Sequence, residues 1–219
     1  ILMRDLKFFI LFYSIAVAAA FIPSYTLKVP VALSLVAGYI YYVKKTLRDG
    51  DDLSEADLPP LTFWRKNPRP PLAVILVQIG FSLALIAGGA NYFVGALGEL
   101  ATSIMVPALI LSLIITPVAT ELPEKFNSII RVKGGKDTLA MGNITGAMVF
   151  QSTILPMIGI LFTPWQLSPL AALSAGLALL SSLIVYLFVK KQRVLKPLVM
   201  MYPAAIYGIF LFLVLTMVV

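Results

Sequence analysis

Seven long apolar stretches, separated by short polar segments, dominate this sequence. A helix that crosses a bilayer needs about 20 mostly apolar residues. The chain is 60% hydrophobic and only 12% charged, which is far more apolar than a typical soluble domain. We therefore expect an all-α, polytopic membrane protein with about seven transmembrane helices, at residues 6–22, 29–43, 71–97, 105–130, 138–162, 169–189 and 198–219.

The basic residues indicate how these spans are threaded. If the chain alternates through the lipid bilayer, every one of its 17 lysines and arginines except Lys28 falls on one face. The positive-inside rule makes that face cytoplasmic, in what we expect to be a prokaryotic cytoplasmic membrane. The second span is short, and Lys28 and Lys44 can extend it by snorkelling to the interface. The net charge of +7 is thus explained by topology, and we expect no nucleic-acid partner.

One segment, residues 46–70, is rich in acidic residues and prolines. It lacks the regular spacing of an EF-hand calcium loop, so we interpret it as a solvated cytoplasmic linker. This predicts three parts: residues 1–45 with two helices, the linker 46–70, and residues 71–219 with five helices. The residues that define the linker are Asp49, Asp51, Asp52, Glu55, Asp57, Pro59, Pro60, Pro68 and Pro70.

Several kinds of chemistry are excluded by composition. The chain has no cysteine and no histidine, which removes disulfides, thiolate nucleophiles, histidine-ligated zinc and a Ser-His-Asp triad. We also find no phosphate-binding loop, nucleophile–base set or metal cluster. We therefore expect neither an enzyme nor a resident cofactor.

The fourth span combines prolines with carboxylates. As one straight helix it would rise about 39 Å, more than the roughly 30 Å hydrocarbon core. Pro117 and Pro123 each remove a backbone donor, so we predict an interruption of the helix there. Thr120, Glu121 and Glu124 lie at this point, and broken helices with carboxylates at mid-depth are how transporters expose oxygens to cations.

A simpler interpretation is that this helix ends near Val118. Glu121 and Glu124 would then form a wet interface with Lys125. The buried interpretation is favoured because the apolar pattern continues through Ile129 and Ile130.

The fifth span carries polar residues of its own. Gly142 and Gly146 form a Gly-x-x-x-Gly pair, which allows close approach of another backbone. Asn143 and Gln151 add amide oxygens. By itself this pattern fits helix packing as well as it fits a site.

Taken together, the two spans carry a longer motif. Ala119-Thr-Glu-Leu-Pro-Glu124 is followed by a short basic turn and then by Asp137-Thr-Leu-Ala-Met-Gly142-Asn143-Ile-Thr-Gly146. In order, spacing and helix placement this resembles the second α-repeat of the sodium/calcium exchanger family, within the cation/calcium exchanger superfamily.

The resemblance implies an architecture. Family members have ten helices in two inverted five-helix repeats, with the cation site between the two α-repeats. The last five spans here would form the second repeat, with its α-repeat motif at about 103–162, and the first two spans would end the first repeat. The first α-repeat is then expected outside this chain, in the same gene or in a partner chain.

The resemblance also assigns roles to residues. Glu124 would be the principal cation ligand, with Thr120 and Asn143 matching motif positions. Glu121 stands where the family usually has serine, and would make a second carboxylate ligand. Gln151 stands where exchangers place Asp or Asn.

The implied function is secondary active antiport of an inorganic cation, calcium or another, in exchange for sodium ions or protons. Ala147 and Met148 replace a serine and an asparagine of the motif. Because calcium prefers six to eight oxygens, these losses leave the ion and the counter-ion open. They also favour an alternative, a degenerate exchanger-like subunit with a structural or regulatory role.

Overall fold

Every regular element in the described part of the chain is a helix. The structure, a computed structural model, describes residues 1–49, 64, 70–192 and 197–216. In chain order the helices are α1 Leu2–Ala19, α2 Tyr25–Asp49, α3 Leu72–Ser103, α4 Ala108–Lys133, α5 Asp137–Gln151, α6 Ile154–Phe162, α7 Pro169–Gln192 and α8 Pro197–Thr216. The predicted all-α fold is confirmed.

The helices have the length and composition of membrane spans. Among the described residues, four stretches are long and apolar enough to cross a bilayer: Tyr25–Arg48, Leu72–Ser103, Asp137–Phe162 and Pro169–Gln192. Ile110–Leu122 and Leu198–Val214 are shorter apolar helices. The chain is therefore a polytopic integral membrane protein, and the count of seven spans stays a prediction.

Two compact units divide the chain. One comprises Ile1–Asp49 and Thr120–Val219, and the other comprises Gly50–Ala119. In the second unit α3 exposes nearly all of its side chains, with Ala101 buried. The predicted linker at 46–70 lies mostly outside the described residues. Since α2 continues to Asp49, the first four residues of that linker are helical.

The core of the first unit is built by α1, α2, α5 and α6. Phe12 and Leu35 are buried together with Val149 and Ile160. Gly38 is needed for this packing, because a Cβ added there would lie 2.5 Å from the Phe12 ring. Apolar residues on four helices thus bury one continuous core, which fixes α5 in place.

One end of this core is closed by Lys28 and Trp165. The Lys28 side chain is buried, and its Nζ donates to the carbonyl oxygens of Pro164 at 2.6 Å and Trp165 at 3.1 Å. Trp165 Nε1 donates to the Ala16 carbonyl at 2.9 Å. Carbonyl groups of the α6–α7 connection thus give the Lys28 charge partners inside the protein, and its predicted snorkelling to the interface stays a prediction.

The predicted interruption of the fourth span does not appear as a break. α4 is helical from Ala108 to Lys133 and passes through both Pro117 and Pro123. A proline removes one backbone donor from a helix, which can bend the helix without ending it. A sequence cannot distinguish these two outcomes.

The fifth span is interrupted instead. α5 ends at Gln151 and α6 begins at Ile154, with Ser152 and Thr153 between them, both fully buried. Pro156 has no N–H to bond the carbonyl of Ser152 four residues earlier, so the helical ladder is released at this point. The hydroxyls of Ser152 and Thr153 bond back to the Val149 carbonyl at 2.9 and 2.8 Å.

Candidate cation site

The candidate site lies in the first unit, where α4 and α5 form an antiparallel pair. Gly135, with φ of 71°, makes the tight turn between them, since a left-handed conformation is easily adopted only by glycine. Lys136 N–H bonds the Arg131 carbonyl at 2.9 Å and closes the end of α4. The short connection brings the polar residues of the two helices to neighbouring positions.

Two contacts join these helices. Near the turn, Ser128 Oγ lies 3.5 Å from the Ala140 carbonyl oxygen. Further along, Gln151 Nε2 donates to Glu121 Oε1 at 2.7 Å. The structure thus brings together two residues that the sequence analysis singled out separately, Glu121 and Gln151.

Both oxygens of Glu121 have a partner within the chain. Oε1 accepts the amide of Gln151, and Oε2 lies 3.7 Å from Lys125 Nζ, four residues further along α4. The Glu121 side chain is 30% exposed and that of Lys125 is 52% exposed. Such an exposed ion pair contributes at most about 1 kcal/mol to stability. The charge of Glu121 is therefore partly compensated by Lys125, and separating the two side chains costs little free energy.

Glu124 differs from Glu121 in this respect. Its Oε2 atom is buried and has no hydrogen-bond partner among the described residues. Asn143 Nδ2 on α5 is also buried and has no hydrogen-bond partner among the described residues. Both residues lie between the two α4–α5 contacts along their helices. Buried polar atoms are nearly always bonded, so these two atoms, on helices that the Ser128–Ala140 and Glu121–Gln151 contacts join, are candidates for binding a ligand.

The remaining predicted residues are less clearly defined by the structure. Thr120 lies on an exposed part of α4 and has an interaction partner of its own. Pro117 is exposed, and the surroundings of the Pro123 side chain lie outside the described residues. Their part in a site stays a prediction.

The glycine pair of α5 packs against side chains. A Cβ added at Gly142 would lie 3.6 Å from the Ile1 side chain, and one at Gly146 would lie 3.6 Å from Tyr42 Oη. Both are ordinary van der Waals distances. Among the described residues, the close backbone approach expected at these two glycines is not seen, because side chains of α1 and α2 occupy that face.

A buried carboxylate that the sequence analysis missed is Asp5 on α1. It is 1% exposed, pairs with Arg4 at 3.1 Å and accepts the Thr145 hydroxyl at 2.6 Å. The available signal was an acidic residue in the first turn of an apolar helix. Arg4 was used only to assign the topology, so its pairing with the neighbouring Asp5 was not predicted.

The carboxylates of the site are few. The described residues contain no group of three or more Asp, Glu, His or Cys side chains placed to hold a metal ion. Glu121 and Glu124 supply two carboxylates on one helix, and Asn143 and Gln151 supply two amides on the other. These four side chains carry six oxygens, which reaches the lower end of the six to eight that calcium prefers only if both carboxylates bind through both of their oxygens.

Carboxylates and amides on two adjoining helices of a polytopic membrane protein are an arrangement typical of membrane transport proteins. The sequence profile described as "Sodium/calcium exchanger protein" matches residues 74–216, which is more than half of the chain. The chain therefore belongs to the sodium/calcium exchanger family.

Two curated relatives are similar to part of the chain. "Putative antiporter CaxA" of Alkalimonas amylolytica is 29% identical over 135 residues, covering 61% of this chain and 40% of that protein. "Inner membrane protein YrbG" of Escherichia coli K12 is 30% identical over 100 residues, covering 46% of this chain and 31% of that protein. The matches thus span less than half the length of either relative. No solved structure matches the chain significantly.

Proposed function

We propose that this chain is part of a secondary active cation antiporter that exchanges calcium, or another inorganic cation, for sodium ions or protons. The observation that carries the proposal is the buried, unpartnered Oε2 of Glu124. It lies on α4, within the residues that match the family profile, and the buried amide nitrogen of Asn143 on α5 also has no partner among the described residues. Membership of the family and similarity to the antiporter CaxA support antiport.

Glu124 is the principal ligand in this proposal. It lies nine residues before Lys133, about 14 Å along α4 from the end of the helix. A carboxylate at that depth is costly when it is charged and alone, and it is neutralised when a cation or a proton binds. Two ions that compete for the same carboxylate can therefore be exchanged across the membrane without a covalent step.

Asn143, Gln151 and Glu121 complete this half of the site. Rotating the Asn143 amide by 180° presents its carbonyl oxygen to a cation in place of Nδ2. Glu121 adds a second negative charge when Lys125 swings away, which costs little because Lys125 is half exposed. Thr120 is the fifth candidate, from its place in the motif.

The other ligands come from a second set of helices in this proposal. Two carboxylates and two amides supply at most six oxygens, and fewer when a carboxylate binds through one oxygen, so we place further ligands on a first α-repeat, in the same gene or in a partner chain. The membrane is the prokaryotic cytoplasmic membrane with the basic loops inside, as the distribution of lysine and arginine indicates.

The test is gradient-driven uptake of radioactive calcium into everted membrane vesicles that contain the complete gene product. We expect uptake in the wild type under a sodium or proton gradient, and its loss in Glu124→Gln. Asp137→Asn is the matched control, because it makes the same carboxylate-to-amide change at an exposed position of the α4–α5 pair. It should leave uptake unchanged.

Two results would contradict the proposal. Undiminished uptake by Glu124→Gln would remove Glu124 as an essential ligand. Absence of gradient-driven uptake of every tested cation by the wild type would favour the degenerate, non-transporting subunit.

A further inference from the structure

Asp5 is a buried carboxylate that the proposed transport site does not use. It lies in the first turn of α1, with 1% of its surface exposed. Its Oδ1 lies 3.1 Å from Arg4 Nε, and its Oδ2 accepts the Thr145 hydroxyl at 2.6 Å. A charged group in a membrane protein is costly to bury, and here both oxygens have partners. One of those partners is on α5, the helix that carries Asn143.

Thr145 has a choice of acceptors. Its Oγ1 also lies 3.0 Å from the carbonyl oxygen of Met141, one turn earlier in the same helix. A hydroxyl has one proton to donate. The contact with Asp5 is shorter, and hydrogen bonds to a carboxylate are stronger than bonds to a neutral carbonyl. Asp5 is therefore the group that directs the hydroxyl towards α1.

The hydrogen bond from Thr145 to Asp5 affects the site because of where Thr145 lies around the axis of α5. With 3.6 residues per turn, residues two apart point about 200° from each other. Asn143 thus lies on the side of α5 opposite to Thr145. Ala140 and Val149 are also buried, but apolar contacts do not fix direction. The bond from Thr145 to Asp5 is directional, so it resists rotation of α5 about its own axis.

We propose that Asp5 is a positioning residue for the cation site. Through Thr145 it sets the rotation of α5, and that rotation decides whether Asn143 and Gln151 face the glutamates of α4. The transport test of this inference depends on the proposed function. The cross-linking test does not, because it measures only the contact between α4 and α5.

The transport test compares variants of the complete protein by the KM for calcium uptake. Thr145→Val removes the donor with little change in shape, and Asp5→Asn removes the charge. We expect either change to raise KM about tenfold, the size typical when a group supporting a metal ligand is lost. The double variant should be no worse than the single ones, because both remove the same contact. Thr145→Ser retains the hydroxyl and should restore a KM near that of the wild type.

Ser182→Ala is the matched control. Ser182 is also buried, and its hydroxyl bonds the Ala178 carbonyl within α7 at 2.7 Å. Removing it deletes a buried hydroxyl without touching α5. KM should stay unchanged in this variant.

The geometric test does not depend on transport. The chain has no cysteine, so Glu121→Cys combined with Gln151→Cys gives two unique thiols on residues that contact each other at 2.7 Å. A short bifunctional thiol reagent should cross-link this pair rapidly. Adding Thr145→Val should slow the cross-linking several-fold, while Thr145→Ser should not.

The two tests separate the proposals. Slower cross-linking in Thr145→Val, in a protein that transports no cation, would support the positioning role and refute the proposed function. An unchanged KM together with an unchanged cross-linking rate in Thr145→Val would overturn the positioning role. If the amount of protein in the membrane fell while both readouts stayed unchanged, Asp5 would be a structural residue only and the proposal would also fail.

Discussion

Two polar regions of this molecule differ in how their charges are satisfied. In the core formed by α1, α2, α5 and α6, Lys28 donates to two carbonyls and Asp5 has a partner for each carboxylate oxygen. In the α4–α5 pair, Glu124 and Asn143 each keep a buried atom without a partner among the described residues. Both regions bury polar groups. In the first, the charged groups of Lys28 and Asp5 are bonded within the described chain, although the Thr46 hydroxyl on α2 has no partner there, whereas in the second the carboxylate of Glu124 keeps an unpartnered oxygen.

The difference separates structural charges from functional ones. A buried charge with a full set of partners stabilises one arrangement of helices, and removing it leaves its partners unsatisfied. A buried carboxylate with an unpartnered oxygen costs free energy until something binds to it. Substitutions in the first region should therefore reduce stability, with Asp5 acting on the site only indirectly, through Thr145. Substitutions in the second region should reduce ion binding and transport directly while sparing the fold.

The largest effect on stability is expected from Lys28→Met. This variant leaves the carbonyls of Pro164 and Trp165 without their charged donor. We expect a loss of about 3 kcal/mol in the free energy of unfolding, since hydrogen bonds to charged groups contribute about 1.5–3 kcal/mol each. Thermal unfolding in detergent micelles measures it. Lys44→Met, at an exposed position of the same helix, should change stability by less than about 0.5 kcal/mol. Equal losses of stability in Lys28→Met and Lys44→Met would mean that the buried hydrogen bonds of Lys28 do not stabilise the fold.

Gln151→Asp should give a smaller and ion-dependent effect. The new carboxylate faces Glu121, whose Oε1 now accepts the Gln151 amide, so two like charges meet without a donor between them. We expect a loss of about 1–2 kcal/mol in the absence of divalent cations, with recovery when calcium is added. Gln151→Asn, which adds no charge, is the control. A loss of stability that calcium does not reverse would indicate that position 151 does not share a cation with α4.

The smallest effect on stability is expected from Lys125→Gln. The exposed Lys125–Glu121 pair contributes less than about 0.5 kcal/mol, as is usual for helix pairs four residues apart. The affinity for the cation should nevertheless rise a few-fold, because a competing positive charge beside Glu121 is removed. Lys133→Gln, at the exposed end of α4, should not alter affinity. Weaker binding by Lys125→Gln would mean that Lys125 supports the site.

Much of the fold could be predicted because the bilayer restricts it so strongly. Apolar runs of membrane length indicated the helices, and all seven predicted segments overlap helices of the structure. The two proline outcomes could not be predicted in the same way. Pro117 suggested a break where the helix continues, whereas Pro156, which had attracted no notice, lies beside the interruption between α5 and α6. Neighbouring helices decide whether a released carbonyl ends a helix.

The site was predictable in part and for a similar reason. The α-repeat motif singled out Glu121, Glu124, Asn143 and Gln151, because it is local in sequence. Asp5 and Lys28 depend on partners about 140 residues away along the chain, Thr145 and Pro164, which no local pattern shows. Only the folded chain distinguishes the partnered Glu121 from the partly unpartnered Glu124.

The most direct test of the central claim is calcium binding to the purified complete protein, measured by titration calorimetry for the wild type, Glu124→Gln and Asp137→Asn. If the unpartnered oxygen of Glu124 is a cation ligand, the wild type and Asp137→Asn should bind with the same Kd. Glu124→Gln should bind at least about 100-fold more weakly, as expected when a ligating charge is lost, while its melting temperature without calcium stays the same or rises. An unchanged Kd in Glu124→Gln, from a protein that is folded and binds calcium, would contradict the account.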